Sequence, residues 1–299
     1  MSIKNIKKAI ENKGVVAIAP AGQITIHGDI LYIDRAIVKL VRLCKCDVYT
    51  LRIYGGYLAF PKWRKHKRSF PVSTEFIKVF SKDELSTLTD DEIYDRVVKS
   101  IDVKDRDMQS EKPRKIKGKD IIKGLDNVLY YCPNCKSKYT TVTEGNVMTC
   151  TKCNNKVRMN EYGFLEPIGT ETVMFDNEYE WFKYQKDLIK KEILLGNYKL
   201  EGLFELYKET NEEWKIEKVG TGRLVLTNDE FYYEGTINGE EVVKKFALDR
   251  LLQLPFDAGV RFDVPDDEGK FEFRPIENNK LVMEYVQAID AMREIRIGH

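Results

Sequence analysis

Cys132-Pro133-Asn134-Cys135 and, after 14 intervening residues, Cys150-Thr151-Lys152-Cys153 form the stretch on which the reading of this chain turns. Two Cys-x-x-Cys knuckles can bring four sulfurs to the corners of a tetrahedron, the arrangement that suits Zn²⁺. The gap fits a hairpin with strands over Lys138–Val142 and Val147–Thr149 and a turn at Glu144-Gly145-Asn146. Asn154-Asn155 follows the second knuckle, where a positive φ is expected. All four positions carry Cys, so no coordination site is left for water or substrate, and the expected ion is structural Zn²⁺ rather than catalytic.

Away from this motif the 299 residues are ordinary for a soluble protein, with 42% hydrophobic and 32% charged side chains. No apolar run approaches a membrane span, and Met1-Ser2-Ile3-Lys4-Asn5-Ile6-Lys7-Lys8 is charged without the apolar core of a signal peptide. The net charge of +1 conceals an asymmetry: residues 1–80 hold 15 Lys/Arg against 5 Asp/Glu, and the remainder 34 against 43. The basic segment is therefore the candidate for anionic partners. Cys44 and Cys46 are expected to be free thiols.

Ile3, Ile6 and Ile10 predict a short helix ended at Gly14. Val15–Ala19 reads as a strand covered on both faces, Ile33, Ile37, Leu40, Val41 and Cys44 as a helix, and Val48–Ile53 as a second strand. That order predicts a right-handed βαβ unit with a parallel pair, its ligand end at the Pro20–Gly28 loop and the turn at 54–57. Next comes a basic patch, Lys62, Trp63, Arg64, Lys65, Lys67 and Arg68. It reads either as a solvated loop or as a contact for phosphate headgroups, with Trp63 at the lipid–water interface. Nothing beyond charge points to nucleic acid. Val72–Phe80 suits a further strand, and Thr89-Asp90-Asp91-Glu92 is a capping box opening a helix through Ile101.

Lys13–Gln23, the following helix, Val48–Gly55 and Tyr57–Trp63 together resemble the second half of the phospholipid/glycerol acyltransferase family, which includes the 1-acylglycerol-3-phosphate acyltransferases. The resemblance covers about residues 3–105. It implies an α/β fold, transfer of a fatty acyl group from acyl-CoA or acyl carrier protein to a lysophospholipid or glycerol-phosphate acceptor, and Gly22, Gln23 and Thr25 as acceptor-binding remnants. The family's base and its orienting partner lie in a His-x4-Asp motif, and none of His27, His66 and His299 makes one. The resemblance places Met1 near the middle of such a domain. No catalytic residue is therefore expected in this chain; either the missing half lies on a separate or longer chain, or the chain is a non-catalytic remnant.

Residues 106–124 read as a charged linker, 125–165 as the zinc ribbon and 170–196 as an amphipathic helix whose stripe includes Trp181, Phe182, Gln185, Leu188, Ile189 and Ile193. From 197 to 299 seven short strands are expected: Lys199–Tyr207, Trp214–Val219, Gly222–Thr227, Glu230–Glu234, Val242–Leu248, Val260–Val264 and Lys270–Arg274. A last helix follows, capped by Asn278 or Asn279, with Leu281, Val282, Tyr285, Ile289 and Met292 on one face. This pattern resembles a pleckstrin-homology barrel, and Gly222–Gly235 is similar to early strands of its GRAM-type branch. The resemblance implies lipid or protein binding. The acidic composition and the lack of a basic cluster favour a protein or intramolecular partner.

The expected whole is multidomain: a partial α/β acyltransferase domain, a zinc ribbon and an α+β barrel with a C-terminal helix. Its expected place is the cytoplasm, peripheral at the inner face of the plasma membrane, against an anionic surface or a lysophospholipid. The competing expectation is a non-catalytic zinc-ribbon binding protein or membrane-surface adaptor.

Overall fold

The computed structural model describes residues 3–209 and 215–298, so Trp214, the expected start of a strand, and His299 lie outside the described residues. The protein is mixed α/β with three antiparallel sheets among the described residues. The chain divides into two compact units, Met1–Pro61 with Lys67–Lys117, and Lys62–His66 with Gly118–His299.

In the first unit, α1 (Ile3–Glu11) ends in a Schellman turn. The amide of Gly14 reaches the carbonyl of Ala9 at 2.8 Å and that of Lys13 reaches Ile10 at 2.9 Å, with Lys13 taking the left-handed φ of 58°. α2 (Ala36–Cys44), β1 (Val48–Tyr54), α3 (Gly56–Ala59), β2 (Ser73–Phe80), α4 (Asp90–Ile101) and α5 (Asp105–Glu111) follow. Val38, Val41, Phe80, Leu85, Ile93 and Val97 make the core between α2, α4 and the sheet.

The expected parallel βαβ unit is not built. β1 pairs with β2, antiparallel, and residues 15–19 form no strand, with Val15 97% exposed. An apolar pentapeptide becomes a strand only where a neighbour satisfies its amides and carbonyls, and β1 offers its bonds to β2 instead. The capping box is as expected: the Thr89 hydroxyl accepts the Glu92 amide at 3.2 Å while the Glu92 carboxylate accepts the Thr89 amide at 2.8 Å.

The run read as a linker is ordered in large part. Asp105 at the start of α5 is buried, and its carboxylate accepts the amides of Gly55, Tyr57 and Leu58 at 2.6, 2.9 and 3.2 Å. Burial raises its pKa, against the pull of those three amides. Ile116, Ile121 and Ile122 are also buried, so low apolar content did not mean a free tether.

In the second unit a four-stranded sheet, β3 (Thr141–Glu144), β4 (Val147–Cys150), β5 (Lys156–Met159) and β6 (Leu165–Pro167), pairs in sequence order. Gly145, at φ 57°, opens the two-residue turn between β3 and β4. α6 (Glu178–Leu194) is capped by Asn177, whose side chain accepts the Glu180 amide at 3.0 Å.

The larger sheet holds β7 (Lys199–Glu209), β8 (Ile216–Thr227), β9 (Phe231–Ile237), β10 (Glu240–Phe246), β11 (Phe256–Asp257), β12 (Arg261–Asp266) and β13 (Gly269–Pro275). Its order is β10-β9-β8-β7-β13-β12-β11, two antiparallel meanders joined where β13 pairs with β7. The count of seven agrees with expectation, but the membership differs. Over the described residues, the two segments expected at 214–219 and 222–227 fall in one strand, β8, which begins at Ile216, and β11 was not foreseen. Gly220 reads as lying between two strands and Gly222 as the start of the second, yet both sit inside β8 where β9 crosses closely: a Cβ at either would collide with the carbonyl of Thr236 or Glu234.

The last helix, α7 (Leu281–Ile297), is buried on more than the one expected face; Met283, Glu284, Val286, Gln287, Ala288 and Ala291 are enclosed as well. Neither asparagine caps it in the expected way, since the helix begins after Lys280, whose amide Asn278 accepts at 3.1 Å. Tyr285 stands at the centre, its ring 5.3–5.4 Å from Phe262 and Phe204 and its hydroxyl donating to the Leu224 carbonyl at 2.6 Å.

Thr89→Ala removes the N-cap acceptor of α4 and is expected to cost the first unit about 1 kcal/mol, measurable by urea denaturation.

Candidate metal centre

The two knuckles have one backbone geometry. In the first, the Lys136 amide donates to the Cys132 carbonyl at 3.0 Å; in the second, the Asn154 amide donates to the Cys150 carbonyl at 2.9 Å. Lys136 and Asn154 take left-handed φ values of 59° and 61°. The expectation of a positive φ held at Asn154. At Lys136 it was missed, because lysine carries no such preference and only the match between knuckles could have shown it.

Cys132, Cys135, Cys150 and Cys153 converge so that their sulfurs all lie within 4.8 Å of one another. Cys132 Sγ is 3.6 Å from Cys153 Sγ, and Cys135 Sγ is 3.7 Å from Cys150 Sγ. A tetrahedron with metal–sulfur bonds of about 2.3 Å has edges of about 3.8 Å, so this spacing fits a single ion bound by four sulfurs. The Thr140 hydroxyl lies 3.2 Å from Cys150 Sγ and the Asn134 amide nitrogen 3.6 Å from Cys153 Sγ, polar neighbours of the kind that support thiolate ligands.

Burial pushes the Cys132 thiol up to about 12, whereas the Ser137 hydroxyl and amide bring Cys135 down to about 6. At Cys150 burial is outweighed by the Thr140 hydroxyl and the amides of Cys153 and Lys152, and the pKa falls. Four thiolates this close require a cation among them, and the donor set fits a soft or borderline metal.

The segment after the first knuckle reaches into α7. Glu284 is 1% exposed, and its carboxylate meets the Lys138 ammonium at 2.6 Å and the Tyr139 hydroxyl. Burial, then the Glu284 charge, holds the Tyr139 phenol well above its ordinary range. Beside it the Tyr130 hydroxyl donates to Gln287 Oε1 at 2.8 Å, and Gln287 Nε2 donates to the Phe182 carbonyl of α6 at 3.0 Å. Gln185 completes the junction, accepting the Tyr131 amide at 3.0 Å and donating to the Val128 carbonyl at 3.0 Å. The Trp181 indole donates to the Tyr131 carbonyl at 2.8 Å. Sequence reasoning missed Glu284 and Gln287. The available signal was a carboxylate and an amide within Leu281–Ile289, which is otherwise almost wholly apolar.

The basic patch is largely absorbed into the fold. Trp63, expected at a lipid interface, is 3% exposed. The Arg68 guanidinium is buried, donating to the Leu58 carbonyl at 3.3 Å. Arg64 donates to the carbonyls of Asp120 and Lys119. The Lys62 ammonium lies 3.7 Å from the Phe256 ring centre, and burial lowers its pKa. Only Lys65 and Lys67 of the six named residues are exposed. Apolar burial of the indole and the lysine stem outweighs the gain from a charged surface cluster.

In the loop of the expected acceptor remnants, Gly22 is exposed at φ 70° and Gln23 is half-buried. The Thr25 hydroxyl is committed to its own turn, accepting the Gly28 amide at 3.1 Å. Asp29 beside it is held by Lys104 and Arg106 at 3.1 and 2.8 Å. Among the described residues no helix is long and apolar enough to cross a membrane. No family model, curated protein or solved structure matches the chain.

Chelation of a metal held by the four cysteines is expected to lower the unfolding temperature of the second unit, followed by calorimetry. Glu284→Gln leaves Lys138 without its countercharge and is expected to cost about 3 kcal/mol, with the four sulfurs still able to bind metal.

Proposed function

We propose that this chain is a non-catalytic, zinc-stabilised docking protein whose ribbon and seven-stranded, GRAM/PH-like domain act together to bind a protein partner. The carrying observation is the state of the cations on that domain. Every Lys and Arg among the described residues from 199 to 280 lies within 4.0 Å of a carboxylate. Lys244, for example, is shared between Asp266 and Glu268, and Arg261 among Asp257, Asp263 and Glu272. Exposed pairs contribute little stability, but they leave few cations to gather a phosphoinositide headgroup. A surface of alternating paired charges suits another protein, with specificity set by complementary charge.

Zinc is the ion best matched to a closed four-cysteine site, and its task here is to hold the ribbon against α6 and α7. Four-thiolate iron is the nearest alternative, distinguished by colour and elemental analysis. The acyltransferase reading rests on the resemblance over residues 3–105. The antiparallel β1–β2 pair and residues 15–19, which form no strand, do not supply the parallel sheet which that reading needs.

Two measurements test the proposal. Protein purified under reducing conditions is expected to carry one zinc per chain, and a content well below one equivalent contradicts the structural ion. Vesicles containing phosphoinositide or phosphatidylserine are expected not to sediment the protein, and incubation with acyl-CoA and lysophosphatidate is expected to give no product. Vesicle binding abolished at high salt, or turnover, would replace the docking reading with the adaptor or enzyme reading.

A further inference from the structure

β1 and β2 form a sheet of two strands with only one face covered. Thr50, Arg52 and Ser100 knit the inner face to α4: Thr50 and Ser100 hydroxyls are 2.7 Å apart, and Arg52 Nε donates to the Ser100 carbonyl at 2.7 Å. The outer face carries Tyr49, Leu51 and Ile53 on β1, with Val72 just before β2 and Phe76 within it. All five are exposed, Phe76 by 75%. Leu51 lies directly opposite Phe76 in the register, so an aliphatic and an aromatic side chain meet at the middle of the face.

Isolated apolar side chains on a surface need no explanation, but five contiguous ones on a two-stranded sheet do. We infer that this face is a self-association surface, on which the same face of a second copy packs as one sheet against another about a two-fold axis.

Area and charge argue for a second copy. The five side chains present on the order of 500 Å² of apolar surface, and two copies together reach about 1,000 Å², the lower bound for a specific interface. The face carries almost no free charge to oppose a copy of itself. Its one cation, Lys78, is paired with Asp47 at 2.8 Å and lies over the Tyr49 ring. Facing two such sheets buries Leu51 and Phe76 of each copy at the centre and leaves Lys78 and Asp47 at the rim, the distribution found in protein interfaces. An anionic bilayer would instead be favoured by unpaired cations around the patch. The inference is independent of the docking role given to the second unit.

The test is the solution mass of the full, metal-loaded chain by sedimentation equilibrium, for the wild type, Phe76→Glu and Leu51→Glu. Both substituted side chains are exposed and outside the core, so unfolding temperature and zinc content should be unchanged. The wild type is expected to form a dimer with a dissociation constant on the order of 10 μM, and each variant to weaken it at least about 100-fold. A wild type monomeric at all accessible concentrations overturns the inference, as does a dimer that survives both substitutions. Vesicle binding by a monomeric wild type, lost in Phe76→Glu, also overturns it and assigns the face to lipid. Should either variant unfold, Thr74→Arg on the same face provides the same reading without touching an apolar side chain.

Discussion

A single carboxylate buried in the C-terminal helix ties the second unit together. Glu284 has almost no contact with water, and a charge in that position is tolerated only with close, well-directed partners. Both partners, Lys138 and Tyr139, come from the turn that leaves the first cysteine knuckle. The position of that turn depends on Cys132 and Cys135, and so on whatever holds the four sulfurs together. Metal site, knuckle and helix thereby form one chain of dependence. Gln185 and Gln287 extend it to α6, each with both ends of its amide satisfied by buried groups. The cysteines rigidify more than a local hairpin; they hold in place the side chains that make a charged residue acceptable at the centre of the unit.

Local features were legible in the sequence because short-range chemistry determines them. The knuckles, the hairpin turn at Gly145-Asn146, the Thr89 capping box and the stripe of α6 each lie within a window of a few residues. What failed needed a distant partner. Val15–Ala19 has the composition of a buried strand but finds no strand to pair with, and β1 takes β2 instead. Residues 220–221 look like a break between two strands, yet Gly220 and Gly222 permit a close crossing of β8 and β9 that only the pairing reveals. Trp63 and its neighbouring cations look like a surface patch, because nothing local says that the indole is covered. Glu284 and Gln287 were overlooked for the same reason: a one-faced pattern was imposed on a helix enclosed on several sides.

The two units resolve their exposed apolar surface differently. In the second, α7 brings Tyr285 among Phe204, Phe231 and Phe262, and the large sheet has its aromatic face covered. In the first, α2 and α4 cover one side of a two-stranded sheet and leave the other bare. A sheet this small draws its stability from whatever lies against it, which places its uncovered face among the sites where association is most favourable.

The most direct test of the dependence between metal and helix is hydrogen exchange on the full chain, followed by mass spectrometry with metal bound and after chelation. Removing the ion is expected to raise exchange in residues 132–159 and also throughout Leu281–Ile297, with β7 and β8 following because the Tyr285 hydroxyl bonds to both strands. Faster exchange confined to 132–159, with α7 still protected, would contradict that dependence.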